Sequence, residues 1–290
     1  MPVTLVTGTS TGIGLATALH FARHGHQVVA TMRNLAKAGP LEAVARDEKL
    51  PVVVRELDVT RQESIDRAMA ETVAQQGPID VLVNNAGIGG ATPLELTPED
   101  EHRAMFEANY WGPIRMIRVV LPSMREGRTG CILNLTSIAG RIATPNQIAY
   151  SASKFALGAA SEALAHEMAA FGVRVAIIEP GVIQTAIFEN SAGATRYDKS
   201  SPYRQIMRRN GKLFAAGFRN PGRAETVAEV IFEAVTTERP RLRYLVGTDA
   251  EGMAAGRARI SDEEWVAMGG ALDDAEYNAR FKRYFGIELI

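Results

Sequence analysis

Apolar residues run through this chain in two alternating rhythms. Short β-branched runs, Val3 to Thr7, Gln27 to Thr31, Val52 to Leu57, Ile79 to Val83, Cys131 to Leu135 and Val173 to Ile178, read as strands. Between them apolar positions return every third or fourth residue: Ile13, Ala16, Leu19 and Ala22 up to Gly25; Ile65, Ala68, Met69 and Val73; and Phe155, Ala159, Ala163 and Met168. Another helical stretch extends from about Pro98 to Met124, with a kink expected at Gly112-Pro113. Runs apolar on both faces suit strands buried on both sides, so the alternation predicts a parallel sheet covered by helices above and below.

Beyond Gly181 the rhythm breaks. Residues 185–222 are rich in Gly, Ala, Ser and Arg and are expected to form a mobile lid on the substrate side. Arg223 to Thr237 is again helical, and Leu242 to Val246 resembles a last strand. No internal repeat or interdomain linker interrupts the chain. The expectation is an α/β fold in one domain over residues 1–250, the lid inserted at 185–222, with residues 251–290 packed on it as an extension.

Composition narrows the function classes. The 290 residues are 46% hydrophobic and 22% charged with a formal net charge of -1, the balance of an ordinary globular protein. Near-zero charge argues against a nucleic-acid binder. The N-terminus enters a strand without a basic region and long apolar core, and no apolar run spans a bilayer. One cysteine, Cys131, makes an intrachain disulfide impossible and fits a reducing cytoplasm. The five histidines have no partners at metal-ligand spacing, so no metal site is expected.

The first strand runs into Gly8-Thr9-Ser10-Thr11-Gly12-Ile13-Gly14 and a helix. That arrangement brings backbone N–H groups and a helix N-terminus up to a phosphate, and glycines permit an approach that a Cβ blocks. The second strand ends Thr31-Met32-Arg33-Asn34 without a carboxylate. In a dinucleotide fold an acid there bonds the adenosine ribose, whereas arginine accommodates a 2′-phosphate, which favours NADP over NAD; as a bare residue, Arg33 is equally a solvated loop charge. Asn84-Asn85-Ala86-Gly87 ends the fourth strand and reads alone as turn chemistry or a site. Asn109 is a poor helix former whose bland role is a local bend. The fifth strand delivers Thr136 and Ser137 to its C-terminal end, where open α/β sheets bind ligands. Tyr150 and Lys154 stand four apart on one helix face, so an ammonium sits near a phenol and favours its anion. Alone, that pair is as readily a solvated face.

Together these motifs, in order over roughly residues 3–247, closely resemble the short-chain dehydrogenase/reductase family. The resemblance implies a Rossmann-type, doubly wound, mostly seven-stranded parallel sheet with NAD(P) across the strand ends, and hydride transfer between an alcohol carbon and nicotinamide. It implies Tyr150 as general acid and base, Ser137 as donor to the substrate oxygen, Lys154 as ligand of the nicotinamide ribose and depressor of the Tyr150 pKa, and Asn109 as the residue ordering a water beside Lys154. The cofactor set it implies is Gly8, Ser10, Thr11, Gly12, Ile13, Gly14, Arg33, Asp58, Val59, Asn85, Ala86, Gly87, Tyr150, Lys154, Pro180, Gly181, Ile183 and Thr185. In the family an acid at the position of Met32 selects NAD and a base at the position of Arg33 selects NADP. NADP(H) is therefore expected.

Ala30-Thr31-Met32-Arg33, the long segment after Thr185 and the ending Tyr244 to Ala250 look most like 17β-hydroxysteroid and retinol dehydrogenase-type members. Ile138, Ile142, Ala143, Ile187 and Phe188 then suit a hydrophobic alcohol or ketone. The resemblance also implies a homodimer or homotetramer. A second reading rests on charge: Arg196, Lys199, Arg204, Arg208, Arg209, Lys212, Arg219 and Arg223 have Asp198 as the only acid among them, whereas the tail is acidic. The lid either receives an acidic substrate such as a 3-ketoacyl thioester or is neutralised by that tail. A reading from a different class, an NADP(H)-sensing regulator without turnover, sits poorly with the retained tyrosine and lysine.

Overall fold

The computed structural model describes residues 1–185, 198–270 and 273–289. Seven parallel strands form one sheet in the order β3-β2-β1-β4-β5-β6-β7. They are β1 (Val3–Thr7), β2 (Gln27–Met32), β3 (Val52–Glu56), β4 (Val81–Asn84), β5 (Cys131–Leu135), β6 (Arg174–Pro180) and β7 (Arg243–Val246). The order reverses between β1 and β4, and a crevice opens outside the strand C-termini at such a switch point. Helix α1 (Gly12–Arg23) and the helix Ala224–Thr236 cover one face; α3 (Gln62–Gln76), α5 (Gly112–Gly127) and α6 (Ile148–Ala169) cover the other. Each strand thus carries two apolar faces: Val6, Val28 and Leu133 point into one cluster while Leu5, Val29 and Ile132 point into the other. Burial also silences Cys131, whose thiol is pushed up to about 12 by desolvation.

Several elements depart from the sequence pattern. The segment between β2 and β3 holds an unforeseen helix, α2 (Gly39–Asp47), anchored by Leu41 and Ala45. The stretch from Pro98 is irregular just ahead of Gly112-Pro113: α4 (Glu99–Phe106) passes through a π-helical segment, Glu107–Trp111, and continues as α5. Periodicity of 3.6 is blind to one inserted residue, and π-bulges gather at functional sites. Asn109 lies within this one.

Within the stretch read as a mobile lid, 185–222, residues Arg204–Arg219 form a regular amphipathic helix; residues 186–197, including Ile187, Phe188 and Arg196, lie outside the described residues. The tail folds into helices Thr248–Arg257, Asp262–Ala267 and Asp274–Phe285. Its apolar side chains Tyr277, Phe281 and Phe285 recur at helical spacing and build a third cluster with Met253, Ile142 and Leu213. Most tail acids are satisfied locally: Asp262 pairs with Arg257, Glu276 with Arg280, and Glu264 closes a capping box with Ser261. Asp274 reaches the basic helix, where Arg208, Arg209 and Lys212 converge on it. Arg209 is 4% exposed and stacks on Tyr277 at 4.3 Å.

Asp274→Asn removes the carboxylate that Arg208, Arg209 and Lys212 share, an expected cost of about 1–3 kcal/mol. Lower thermal stability and faster proteolysis within the tail are expected; unchanged values would show that apolar packing alone holds it.

Candidate functional site

A single cleft of about 1370 Å³ follows the C-terminal ends of the strands, from Arg33 at one end past Tyr150 to Phe285 at the other. This exceeds the usual volume of a small-molecule site, about 300–1,000 Å³, and leaves room for a dinucleotide with a second molecule.

The β1–α1 turn builds the first wall. Gly8 and Gly12 hold φ of 72° and 58°, the left-handed region that costs other residues energy. Gly14 does not line the cleft; its Cα packs so tightly on the Gly8 carbonyl oxygen and the Asn85 amide that a Cβ would collide with both. Thr11 caps α1 without a side-chain hydrogen bond, and no acid stands in the first turn. The amides of that turn have no intrahelical partners, so the end of α1 presents donors and positive potential to an anion. Ser10, Thr11, Gly12 and Ile13 line the cleft here. At its far end Arg33 is exposed and without an ion-pair partner among the described residues; Asn34 and Lys37, not singled out from sequence, line the cleft beside it.

The β4 end is tied to β1 from within. Thr7 Oγ1 accepts from the amides of Asn85 and Ala86, both at 3.0 Å, and Asn85 Nδ2 donates to the carbonyls of Thr7 and Gly8 at 2.8 and 3.0 Å. Asn85 therefore spends its side-chain donors on the scaffold, while its neighbours Ala86 and Gly87 supply the small wall. One Asp58 carboxylate oxygen accepts from the Thr60 amide and hydroxyl, and Asp58 and Val59 complete this side. At the other edge Pro180, Gly181, Ile183 and Thr185 line the cleft.

Beneath that edge lie two residues with no sequence-derived role. Glu179 is fully buried between Arg243, at 2.8 Å, and Arg141, at 3.3 Å. Asp249 accepts from the Val182 amide at 2.6 Å and packs so closely under Gly181 that a Cβ there would overlap its carboxylate. Both fix the turn after β6. Asp249 sits in the quoted ending Tyr244 to Ala250, but nothing in the pattern reveals that it points back under Gly181.

The chemical centre stands on β5 and α6. An amide relay from Asn84 through Asn134 to Ser161, each link 2.8 Å, ties β4 and β5 to α6. Ser137, past the end of β5, donates to the Pro180 carbonyl at 3.4 Å and accepts from the Ala139 amide at 3.1 Å, and its hydroxyl lies near enough to the Tyr150 phenol to favour the anion, so the two hydroxyls line the same part of the cleft. Lys154, 5% exposed, donates to the Leu135 carbonyl at 2.8 Å; its Nζ lies 5.9 Å from the Tyr150 ring centroid. An ammonium carries three donors, so donors remain for a ligand in the cleft.

One implied role needs correction. Tyr150 is not held below its ordinary value: burial pushes it up, against a weaker downward pull from Ser137, and burial pushes Lys154 down to about 8. With both groups out of water, loss of hydration penalises each charged form and outweighs the benefit of proximity. Asn109 does not line the cleft. Fully buried, it accepts from the Ile88 amide at 2.8 Å and donates to the Ile88 carbonyl at 2.9 Å and Ser153 Oγ at 3.0 Å. Its side chain holds the loop after Gly87.

On the substrate side Ile138 and Ile142 line the cleft with Met207, Leu213, Phe214 and Phe285. Ala143 is exposed and turned away. Phe285, from the tail, was invisible to a reading that ended its domain at residue 250.

Residues 2–195 match the family model described as short chain dehydrogenase. The chain belongs to the short-chain dehydrogenase family. It is 34% identical to the 3-ketodihydrosphingosine reductase of Bacteroides thetaiotaomicron over 84% of this chain and 87% of that one. With human 17-beta-hydroxysteroid dehydrogenase type 1 it shares 36% identity over 83% and 76% of the two chains. A solved short-chain dehydrogenase from Streptomyces avermitilis superposes with a TM-score of 0.80 at 36% identity, covering 92% of this chain and 98% of that one. As a short-chain dehydrogenase the protein is an oxidoreductase acting on CH–OH groups with a nicotinamide cofactor. The residues fit that cofactor: an uncapped helix N-terminus for pyrophosphate, a buried lysine with donors to spare, and glycines where the backbone must come close. Among the described residues no group of His, Cys, Asp and Glu is arranged to hold a metal, and no helix is long and apolar enough to cross a membrane.

Proposed function

We propose that this short-chain dehydrogenase interconverts a secondary alcohol and a ketone, or a primary alcohol and an aldehyde, on a hydrophobic substrate with NADP(H). The observation that carries the reading is that the Ser137 and Tyr150 hydroxyls line the same part of a cleft whose outer half is walled by Ile138, Ile142, Leu213, Phe214 and Phe285. A bound nicotinamide supplies or accepts the hydride. Ser137 hydrogen-bonds the substrate oxygen as charge develops there. Tyr150, neutral because burial raises its titration, gives that oxygen a proton in reduction. Lys154 holds ribose hydroxyls from below. The relatives named above, a 3-ketodihydrosphingosine reductase and a 17-beta-hydroxysteroid dehydrogenase, support an apolar substrate of that kind.

Arg33, with Asn34 and Lys37 beside it, supports NADP(H) over NAD(H), because a 2′-phosphate needs cations where a ribose hydroxyl needs an acceptor. The expected kcat/KM with NADPH exceeds that with NADH by about tenfold or more, given one or two charge-assisted contacts of about 1.5–3 kcal/mol each. Equal or better turnover with NADH would remove the cofactor assignment. The acidic-substrate alternative loses support where Arg208, Arg209 and Lys212 share Asp274. A homodimer or homotetramer is supported by Trp111, Ile148 and Phe155, exposed at 46%, 42% and 41% on the segments carrying Asn109 and Tyr150. Cytoplasmic location is proposed on composition: the chain's one cysteine is buried and takes no part in a disulfide.

A further inference from the structure

One residue of the cleft is strained, buried and unused by the chemistry above. Asn146 stands just ahead of α6, which carries Tyr150, and holds φ of 65°. Asparagine tolerates that left-handed backbone better than most residues, yet outside glycine it remains costly. The side chain is 5% exposed and lines the cleft, and its Nδ2 is buried with no hydrogen-bond partner among the described residues. Its neighbours do not relieve it, because Thr144 and Gln147 bond each other at 2.6 Å. Asn210, on the helix Arg204–Arg219, lines the same cleft at 8% exposure, with its amide oxygen likewise buried and unbonded.

A buried amide left without a partner is costly, and native proteins keep such groups where something else completes them. Strained backbone collects at such places too. Glycine would take this backbone conformation freely and leave no buried amide.

We infer that Asn146, with Asn210 across the described cleft lining, forms a polar subsite for a second hydrogen-bonding group on the substrate, carried close to the reacting carbon. The substrate class is thereby narrowed from any apolar ketone to an apolar ketone bearing a hydroxyl or amine on a neighbouring carbon. Asn146 and Tyr150 stand four residues apart where the chain enters α6 and line the same cleft, which sets a group that meets the amide beside one that meets the phenol. This inference rests on the proposed carbonyl chemistry for its reaction but not for its binding.

The test pairs octyl methyl ketone with octyl hydroxymethyl ketone, identical in chain and carbonyl and differing by one hydroxyl. With NADPH-loaded protein, wild type is expected to turn over the hydroxy ketone with a kcat/KM about tenfold or more above the plain ketone, the discrimination a site built to pair a hydroxyl gives. Asn146→Gly is expected to bring that ratio to within about threefold, at a melting temperature no lower than wild type because the unpaired amide and backbone strain go together. The same pair is measured by direct binding to the NADPH complex. If neither ketone is reduced but wild type binds the hydroxy ketone more tightly and Asn146→Gly does not, the subsite stands and the reaction assignment falls. If both are reduced with a ratio that the variant leaves unchanged, the subsite falls and the reaction stands. Equal binding of the two ketones to wild type overturns the subsite outright.

Discussion

Replacing Tyr150 by phenylalanine is expected to lower kcat for ketone reduction by about a thousandfold, within the usual 10²–10⁴ contribution of a positioned acid, while the Kd for NADPH changes by less than about threefold. Phenylalanine keeps the ring on α6 and removes only the hydroxyl beside Ser137. A structural role for the phenol would instead appear as lost stability or lost cofactor affinity, with kcat reduced in proportion to folded protein. The pH dependence adds a second readout. Because burial raises the phenol, it is protonated across neutral pH and ready to donate, so reduction is flat there and declines only in the alkaline range. Alcohol oxidation needs the anion and should rise with pH over the same interval. Tyr150→Phe should abolish both limbs; a variant that kept the wild-type profile would assign the titration to another group.

Lys154→Met carries the second large effect, and it falls on binding as well as turnover. The ammonium is buried against the Leu135 carbonyl, close to the space that Gly87 leaves open, where a Cβ would stand 2.9 Å from Asn109 Oδ1 and 3.5 Å from Nζ. Losing a charged donor to a ribose hydroxyl costs about 1.5–3 kcal/mol, or about 10- to 100-fold in cofactor Kd. Desolvation has lowered Lys154 to about 8, so the free protein loses the charge as pH rises through that value. Wild-type NADPH affinity should therefore weaken above about pH 8 and the dependence should vanish in Lys154→Met. The stability sign is opposite: the folded state disfavours this proton, so below about 8 the lysine charge opposes folding, and its penalty fades as pH rises towards the unfolded value. A cofactor Kd unchanged in Lys154→Met would confine the lysine to the neighbourhood of Tyr150.

What the sequence made legible tracks how local the signal is. Strand β1, the glycine turn and α1 are consecutive, each announces itself by composition, and their bounds fall within a residue or two of the observed ones. Tyr150 and Lys154 share a helix face by spacing alone. Their titration was misjudged because spacing fixes distance but not hydration, and burial decides it here. The amide of Asn109 turns to Ile88, a partner set by a π-helical segment that no apolar period encodes. Asp249 under Gly181 and Phe285 in the cleft join residues 68 and more positions apart, and nothing in either neighbourhood points to the other. The tail's Tyr277, Phe281 and Phe285 did carry helical spacing; charge drew attention away from it.

The central claim is hydride transfer from nicotinamide to a carbonyl carbon in the Tyr150 site. It is tested most directly by incubating the full chain with NADPH dideuterated at nicotinamide C4 and a panel of apolar and hydroxylated ketones, then locating the label in the product. Wild type is expected to give alcohol bearing one deuterium on the carbinol carbon, and Tyr150→Phe a yield lowered about a thousandfold. Tight NADPH binding with no labelled alcohol from any ketone would contradict hydride transfer and leave a cofactor-sensing protein in its place.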